Sequence, residues 1–291
     1  MIPPRFEYYA PVSIEEAVKV LGRFGGEAKV LAGGQSLLPV LRLRLGEPKA
    51  LVDINRIPDL AYIREEADVL RIGALARTND LNDSDLVRRR YPILTDATSM
   101  LADPLVRNLG TVGGNVAHGD PANDLPACML ALGASFVARG PKASRTIPAS
   151  EFYVDTFTTA LEPTEILTEI RVPKARAGQG NAYMSLEKRV GDFAIVGVAA
   201  NLVLGAKGSV EEAGIGITSA GPTALQATEA ARSLVGRTPD HAAFDRAATL
   251  AMDVAQPTSD LRGPAEYKRA MVGVLTARAL RRSVERARGG A

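Results

Sequence analysis

The chain has 291 residues, enough for two domains that each bury a core. With 46% hydrophobic and 23% charged residues it is neither disordered nor a fibrous repeat. Its 35 basic and 33 acidic residues leave a net charge of +2, too little to draw it onto nucleic acid.

The single cysteine, Cys128, excludes an internal disulfide, and it cannot supply the thiolates of an iron–sulfur cluster, so any such cluster sits on another chain. The basic runs at Arg88, Arg89 and Arg90 and over residues 278–288 read as solvated helix faces or subunit contacts. Residues 1–9 lack a basic start followed by an apolar stretch, and the most apolar segment, 194–204, is too short to span a bilayer. A cytoplasmic location is the expectation, with any membrane association coming through partners.

The opening segment reads as a βαβ unit. Ser13 and Glu16 form a capping box that predicts a helix through Phe24, and Gly25-Gly26 stops it. A short apolar strand at 29–32 runs into Gly33-Gly34-Gln35-Ser36, then residues 37–45, then a second strand at 50–54. The next block opens with a hairpin, 61–63 and 69–72, turning at Glu66-Ala67-Asp68. Helical patterns follow at 81–90 and 93–101, and Asp103-Pro104 breaks them before a second glycine loop, Thr111-Val112-Gly113-Gly114-Asn115. A helix at 124–132 packs behind that loop, and 166–172 forms a closing strand.

The proline, basic and glycine character of 174–180 predicts a domain boundary there. The expected division is an N-terminal domain over 1–173, with subdomains of about 1–56 and 57–173, and a C-terminal domain over 174–291. The latter reads as a three-stranded antiparallel sheet (182–188, 194–204, 210–219) with helices at 224–235, 239–255 and 265–286. Pro239 suits a first helical turn. The fold class is therefore α+β.

Chemistry points to the glycine pairs. Glycine accepts positive φ and leaves the backbone open to close approach, so successive N–H groups can converge on one anion such as a diphosphate. Ser36 and Thr111 can add hydroxyls, while Gln35 and Asn115 can pin the loops or reach sugar hydroxyls. Taken singly, each pair could be no more than a turn. No dinucleotide fingerprint is present, since Gly214 and Gly216 lack the third glycine, and there is neither a P-loop nor a nucleophile elbow. His118 and His241 are too few for a His-rich metal site. His118 stands beside Asp120 and Asp124, where it could shuttle a proton or simply hold the loop. Cys128 falls in a helix and reads as core.

The run Ala32-Gly33-Gly34-Gln35-Ser36-Leu37-Leu38-Pro39 together with Thr111-Val112-Gly113-Gly114-Asn115 resembles the paired FAD loops of the xanthine dehydrogenase and carbon monoxide dehydrogenase flavoproteins. The likeness extends through Val52-Asp53-Ile54-Asn55, residues 117–126, 186–194 and Gly263-Pro264-Ala265-Glu266-Tyr267. It implies the two-subdomain FAD-binding fold of the PCMH/vanillyl-alcohol oxidase type, plus the C-terminal sheet and helices. By position, Ala32, Gly33, Gly34, Gln35 and Ser36 and then Thr111, Val112, Gly113, Gly114 and Asn115 would hold the diphosphate and neighbouring hydroxyls. Asp124 would bind a flavin hydroxyl, Leu167 would pack on the cofactor, Phe193 would shield one face of the isoalloxazine ring, and Lys188 would stand near its pyrimidine edge. Relatives often have His at position 35 and Tyr at position 193.

The resemblance further implies an electron-transfer subunit without a substrate-hydroxylating residue. The molybdenum cofactor would sit on a large molybdopterin-binding partner and the 2Fe–2S clusters on a small one, in a dimer of heterotrimers that reduces an external acceptor. The large partner would choose the substrate. Two other readings stand beside it: a freestanding FAD oxidase or dehydrogenase, and a non-catalytic assembly subunit.

Overall fold

The computed structural model describes residues 2–289; the ends of the expected domain spans at Met1, Gly290 and Ala291 lie outside the described residues. Its first layer is a parallel sheet of β1 (Glu7–Tyr9), β2 (Ala28–Leu31) and β3 (Ala50–Asp53) in the order β1-β3-β2. The helices α1 (Ile14–Phe24) and α2 (Leu37–Arg42) make the crossovers. Ser13 caps α1 by accepting from Glu16 N at 3.1 Å, while Glu16 reaches back to Val12 N at 3.0 Å instead of to the cap residue. Ala17, Val18 and Leu21 on one face of α1 meet Val52 and Ile54 in a small core.

The second layer is a five-stranded antiparallel sheet. Its order is β4 (Ile63–Glu66), β5 (Val69–Gly73), β10 (Ile166–Pro173), β6 (Ser135–Arg139) and β7 (Ser144–Pro148). The hairpin turns at Ala67, which takes a φ of 48°, and its first strand lies later in the chain than the expected 61–63. Between β5 and β6 run α3 (Thr78–Asp83), α4 (Asp85–Arg90), α5 (Pro92–Met100), α6 (Pro104–Leu109), α7 (Val112–Ala117) and α8 (Asp124–Ala131). The single helix expected over 81–90 is two, because Ser84 stands extended at ψ 115° and its hydroxyl accepts from Val87 N to start α4. Asp103-Pro104 likewise begins a helix, with Asp103 as its cap and Pro104 in its first turn. After β7 come α9 (Ala149–Phe152) and the small pair β8 (Tyr153–Asp155) and β9 (Thr158–Thr159).

The third layer is antiparallel: β11 (Gln179–Leu186), β12 (Val196–Leu204), β13 (Val210–Thr218) and the short β14 (Leu225–Gln226). It has four strands where three were expected, since β14 takes the start of the segment read as helix and leaves α10 only Thr228–Arg232. The helices α11 (His241–Val254) and α12 (Ala265–Ala287) complete the chain. Asp240 caps α11, so Pro239 lies just before the helix and not in its first turn.

The second and third layers share a core because α8 lies directly on β13. A Cβ on Gly214 or Gly216 would come 2.1 Å from the carbonyl oxygens of Ala131 and Ala127, so only glycine lets the helix backbone settle there. Tyr183 and Ala199 thereby join the central core with Leu125, Cys128, Phe136 and Ile170. Asp96 of α5 and Arg286 of α12 add a half-buried bidentate ion pair at 2.6 and 2.9 Å.

Candidate functional site

The first glycine segment leaves β2 and enters α2 within five residues, Ala32, Gly33, Gly34, Gln35 and Ser36. Gly34 takes a φ of 72°, and Gln35 folds its amide back so that Nε2 donates to Gly33 O at 3.0 Å. The N–H groups of Gly33, Gly34, Gln35 and Ser36 donate to no group of the chain among the described residues. Four successive donors without a partner, on a backbone bent at Gly34, are free to meet an anion with several oxygens, and Ser36 beside them is exposed.

The second segment is built differently. The sequence suggested a loop, but Val112 to Ala117 is helical and Thr111 is its cap, with Thr111 Oγ1 accepting from Gly114 N at 3.0 Å. Val112 N donates to Ala76 O, Gly113 N to Ala74 O and Asn115 N to Thr111 O, so these amides are already committed. Only the Thr111 amide remains open. Gly113 is small because a Cβ would lie 2.6 Å from Ala74 O, and a Cβ on Gly114 would lie 2.7 Å from Thr111 Oγ1. What this turn offers a ligand is the Thr111 amide and hydroxyl and the Asn115 side chain, whose Oδ1 is buried with no partner.

The two segments touch. A Cβ on Gly33 would lie 2.3 Å from Leu109 O and 2.8 Å from Gly110 Cα, so the loop of the first layer rests on the backbone leading into α7.

Below them, Asn123 donates from Nδ2 to Asn115 O at 2.8 Å, while Thr218 at the end of β13 donates to Asn123 O at 2.6 Å. The next residue, Asp124, accepts a short hydrogen bond from the Tyr183 hydroxyl of β11. Burial pushes the Asp124 carboxyl up to about 7, opposed by the Tyr183 bond and assisted by the charge of Glu187. Glu187 is itself raised, chiefly by burial. Lys188 and Phe193 stand on the connection that starts at Glu187 and leads into β12. Lys188 is exposed, and Phe193 is 50% exposed with the Arg262 guanidinium 5.7 Å from its ring centre. Arg262 in turn donates to Asp192 at 2.8 Å, which ties this connection to the segment before α12. Leu167 on β10 is only 5% exposed and packs in the central core; its neighbour Thr168 accepts from Ala74 N, and Ala74 O holds Gly113.

His118 is half-buried against Phe157, ring centres 5.1 Å apart, and burial lowers its pKa despite nearby Asp120. His241 lies at the exposed start of α11, paired with Asp245. Cys128 is fully buried. Among the described residues no group of three His, Cys, Asp or Glu side chains gathers to hold a metal, and no helix is long and apolar enough to cross a membrane.

Tyr183, Asn123, Asn55 and Arg77 were not singled out as site residues by sequence reasoning. Asn55 stood inside a motif, Val52-Asp53-Ile54-Asn55, whose position after β3 was its only signal. Asn123 likewise stood inside the segment 117–126, while Tyr183 and Arg77 depend on contacts between residues far apart in the chain.

The family model "FAD binding domain in molybdopterin dehydrogenase" matches residues 4–175, and "CO dehydrogenase flavoprotein C-terminal domain" matches residues 181–283. The chain is 47% identical over 281 residues to the carbon monoxide dehydrogenase medium chain of Hydrogenophaga pseudoflava, covering 96% of this chain and 97% of that one. To the protein of the same description from Afipia carboxidovorans it is 43% identical over 291 residues, covering 100% and 99%. Among solved structures, a carbon monoxide dehydrogenase from Hydrogenophaga pseudoflava that lacks the Mo-pyranopterin moiety of its molybdenum cofactor matches with a TM-score of 0.95 and 48% identity, covering 98% of this chain and 99% of that one.

Proposed function

The chain belongs to the family of FAD-binding molybdopterin dehydrogenase subunits, and from that premise we propose how its residues serve the cofactor and what complex they serve. The open amides of Gly33, Gly34, Gln35 and Ser36 carry the reading, because a diphosphate satisfies all of them at once. Thr111 adds its amide and hydroxyl from the facing turn, and Asn115 Oδ1 accepts from a sugar or ribityl hydroxyl that its burial otherwise denies it. Ala32, Val112, Gly113 and Gly114 serve by their backbone and small size. Asp124, held by Tyr183, meets a flavin hydroxyl.

Leu167 packs beneath the cofactor, and Phe193 covers one face of the isoalloxazine ring. Lys188 brings a cation to the pyrimidine edge. Gln35 holds the first loop through Gly33 O and does not titrate near neutrality. When bound, FAD accepts electrons one at a time and passes them on.

In this assignment the domain division falls at about residue 174, close to the end of the first matched region and before the second begins at residue 181. The chain works in the cytoplasm with a large molybdopterin-binding subunit and a small subunit that carries 2Fe–2S clusters, assembled as a dimer of heterotrimers. Electrons from the small subunit reach an external acceptor through this chain. Carbon monoxide is the substrate of the complex, supported by the identity to two medium chains of that description. The chain itself hydroxylates nothing.

The test is titration of the purified full chain with FAD, followed by an assay of the isolated flavoprotein on small reduced substrates. Saturable FAD binding with negligible substrate oxidation is expected. Vigorous oxidation by the isolated chain supports a freestanding flavoenzyme instead, and absence of FAD binding removes the assignment.

A further inference from the structure

We propose that Asn55 and Arg77 are positioning residues for FAD, forming a clasp that fixes the spacing between the first glycine loop and the turn that carries Thr111. The inference rests on the flavin site proposed above. Asn55, in the turn after β3, donates from Nδ2 to Ala32 O at 2.8 Å, and its Oδ1 accepts from Arg77 Nη2 at 3.0 Å. Arg77, just before α3, donates from Nη1 to Leu109 O at 2.6 Å. The path from Ala32 to Leu109 is therefore a continuous chain of hydrogen bonds joining the two layers. Leu109 O is also the atom that a side chain on Gly33 would strike.

Both clasp residues are themselves anchored. Asp53 Oδ1 accepts from Asn55 N at 2.9 Å and from its Nδ2 at 2.7 Å, while Asp80 Oδ2 accepts from Arg77 N at 2.7 Å. The guanidinium suits this task because its donors are fixed in one plane and point in separate directions, which a lysine ammonium cannot reproduce.

Two observations favour a role in ligand binding over one in packing. Asn55 is exposed and Arg77 half-buried, and neither sits within a hydrophobic core, so little apolar burial depends on them. Arg77 also forms no ion pair among the described residues and spends its donors on neutral oxygens. Its guanidinium charge is thus not paired with a carboxylate and stands beside loops whose open amides already favour an anion. A diphosphate that must meet Gly33 to Ser36 on one side and Thr111 on the other needs the two sides at a fixed separation, and the clasp sets it.

The test is FAD titration of the deflavinated full chain by flavin fluorescence, alongside the melting temperature of the flavin-free chain. Arg77→Lys keeps the charge but not the two-way fork; it is expected to melt within about 3 °C of wild type while its Kd for FAD rises about tenfold or more. Asn55→Ala should weaken FAD to a similar degree. The double variant should bind within about twofold of the weaker single, because a chain broken once has nothing further to lose.

Unchanged affinity in Arg77→Lys, or full additivity in the double variant, overturns the clasp. So does a loss of affinity matched by a comparable loss of flavin-free stability in both singles, which assigns the residues to folding. If Asn55→Ala fails to fold, Arg77→Lys alone decides. A wild-type chain that binds no FAD fails differently, since it removes the flavin reading beneath the clasp.

Discussion

Gly33→Ala is the smallest change that should disturb both the meeting of the two loops and the FAD binding proposed for them. The added methyl group would sit 2.3 Å from Leu109 O and 2.8 Å from Gly110 Cα. Comfortable carbon contacts lie at about 3.5–4.0 Å, so the loops must part by about 1 Å. Both obstacles are backbone, and no rotamer change relieves them. Overpacking of this kind costs about 1–3 kcal/mol, and each kcal/mol lowers the melting temperature of a chain this size by roughly 2–4 °C.

Gly22 provides the control. A Cβ there meets nothing within 4 Å on the exposed side of α1, so Gly22→Ala should gain about 0.5–1 kcal/mol from helix propensity alone. Thermal melts of the flavin-free chain and FAD titrations of each variant make the comparison. Gly33→Ala should lose stability and FAD affinity together, while Gly22→Ala loses neither. A Gly33→Ala chain that melts and binds FAD like wild type would refute the close packing and reduce Gly33 to an ordinary turn residue.

Asp124 makes flavin-free stability pH-dependent. Its carboxyl, raised from an ordinary 3.8 to about 7, holds its proton more tightly when folded, so the stability that Asp124 itself contributes is lost as pH rises across that window and falls no further above it. Asp124→Asn should therefore gain on wild type between about pH 4 and about pH 7; urea melts across that range check it, and a constant gap contradicts it. Arg286→Met should destabilise by about 3–5 kcal/mol, since Asp96 would keep its half-buried charge without the guanidinium. Adding Asp96→Asn should restore part of that loss, and a single variant that melts like wild type would disprove the coupling. Cys128 is buried with its thiol pushed well up by burial, so the native chain should not react with a disulfide reagent until it unfolds. Rapid labelling of the native thiol would show that α8 opens locally.

The elements around the first glycine loop were legible because local rules govern them: a capped amphipathic helix, a short apolar strand and a Gly-Gly bend. Ser84 misled for an equally local reason, since its side chain can cap a new helix within a pattern that looks continuous. The second glycine pair looked like the first in sequence, yet it lies in the first turn of α7, where Ala74 O on a distant segment takes the Gly113 amide and the Thr111 hydroxyl takes that of Gly114. No spacing rule announces that. The Tyr183 bond to Asp124, the α8 contact with Gly214 and Gly216, and the Asn55–Arg77 chain likewise arise where separate layers meet. The chemical type of the site is thus written locally, while the atoms that hold its geometry come from tertiary packing.

The most direct test of the account is an absorbance spectrum of the complex purified through a tag on this chain from its native host, with the released flavin identified after denaturation and the metals quantified. The account predicts a flavin spectrum, FAD on release, and molybdenum and iron that co-purify on larger and smaller partner chains. Protein without flavin, or FAD on a chain that brings down neither partners nor metals, would contradict it.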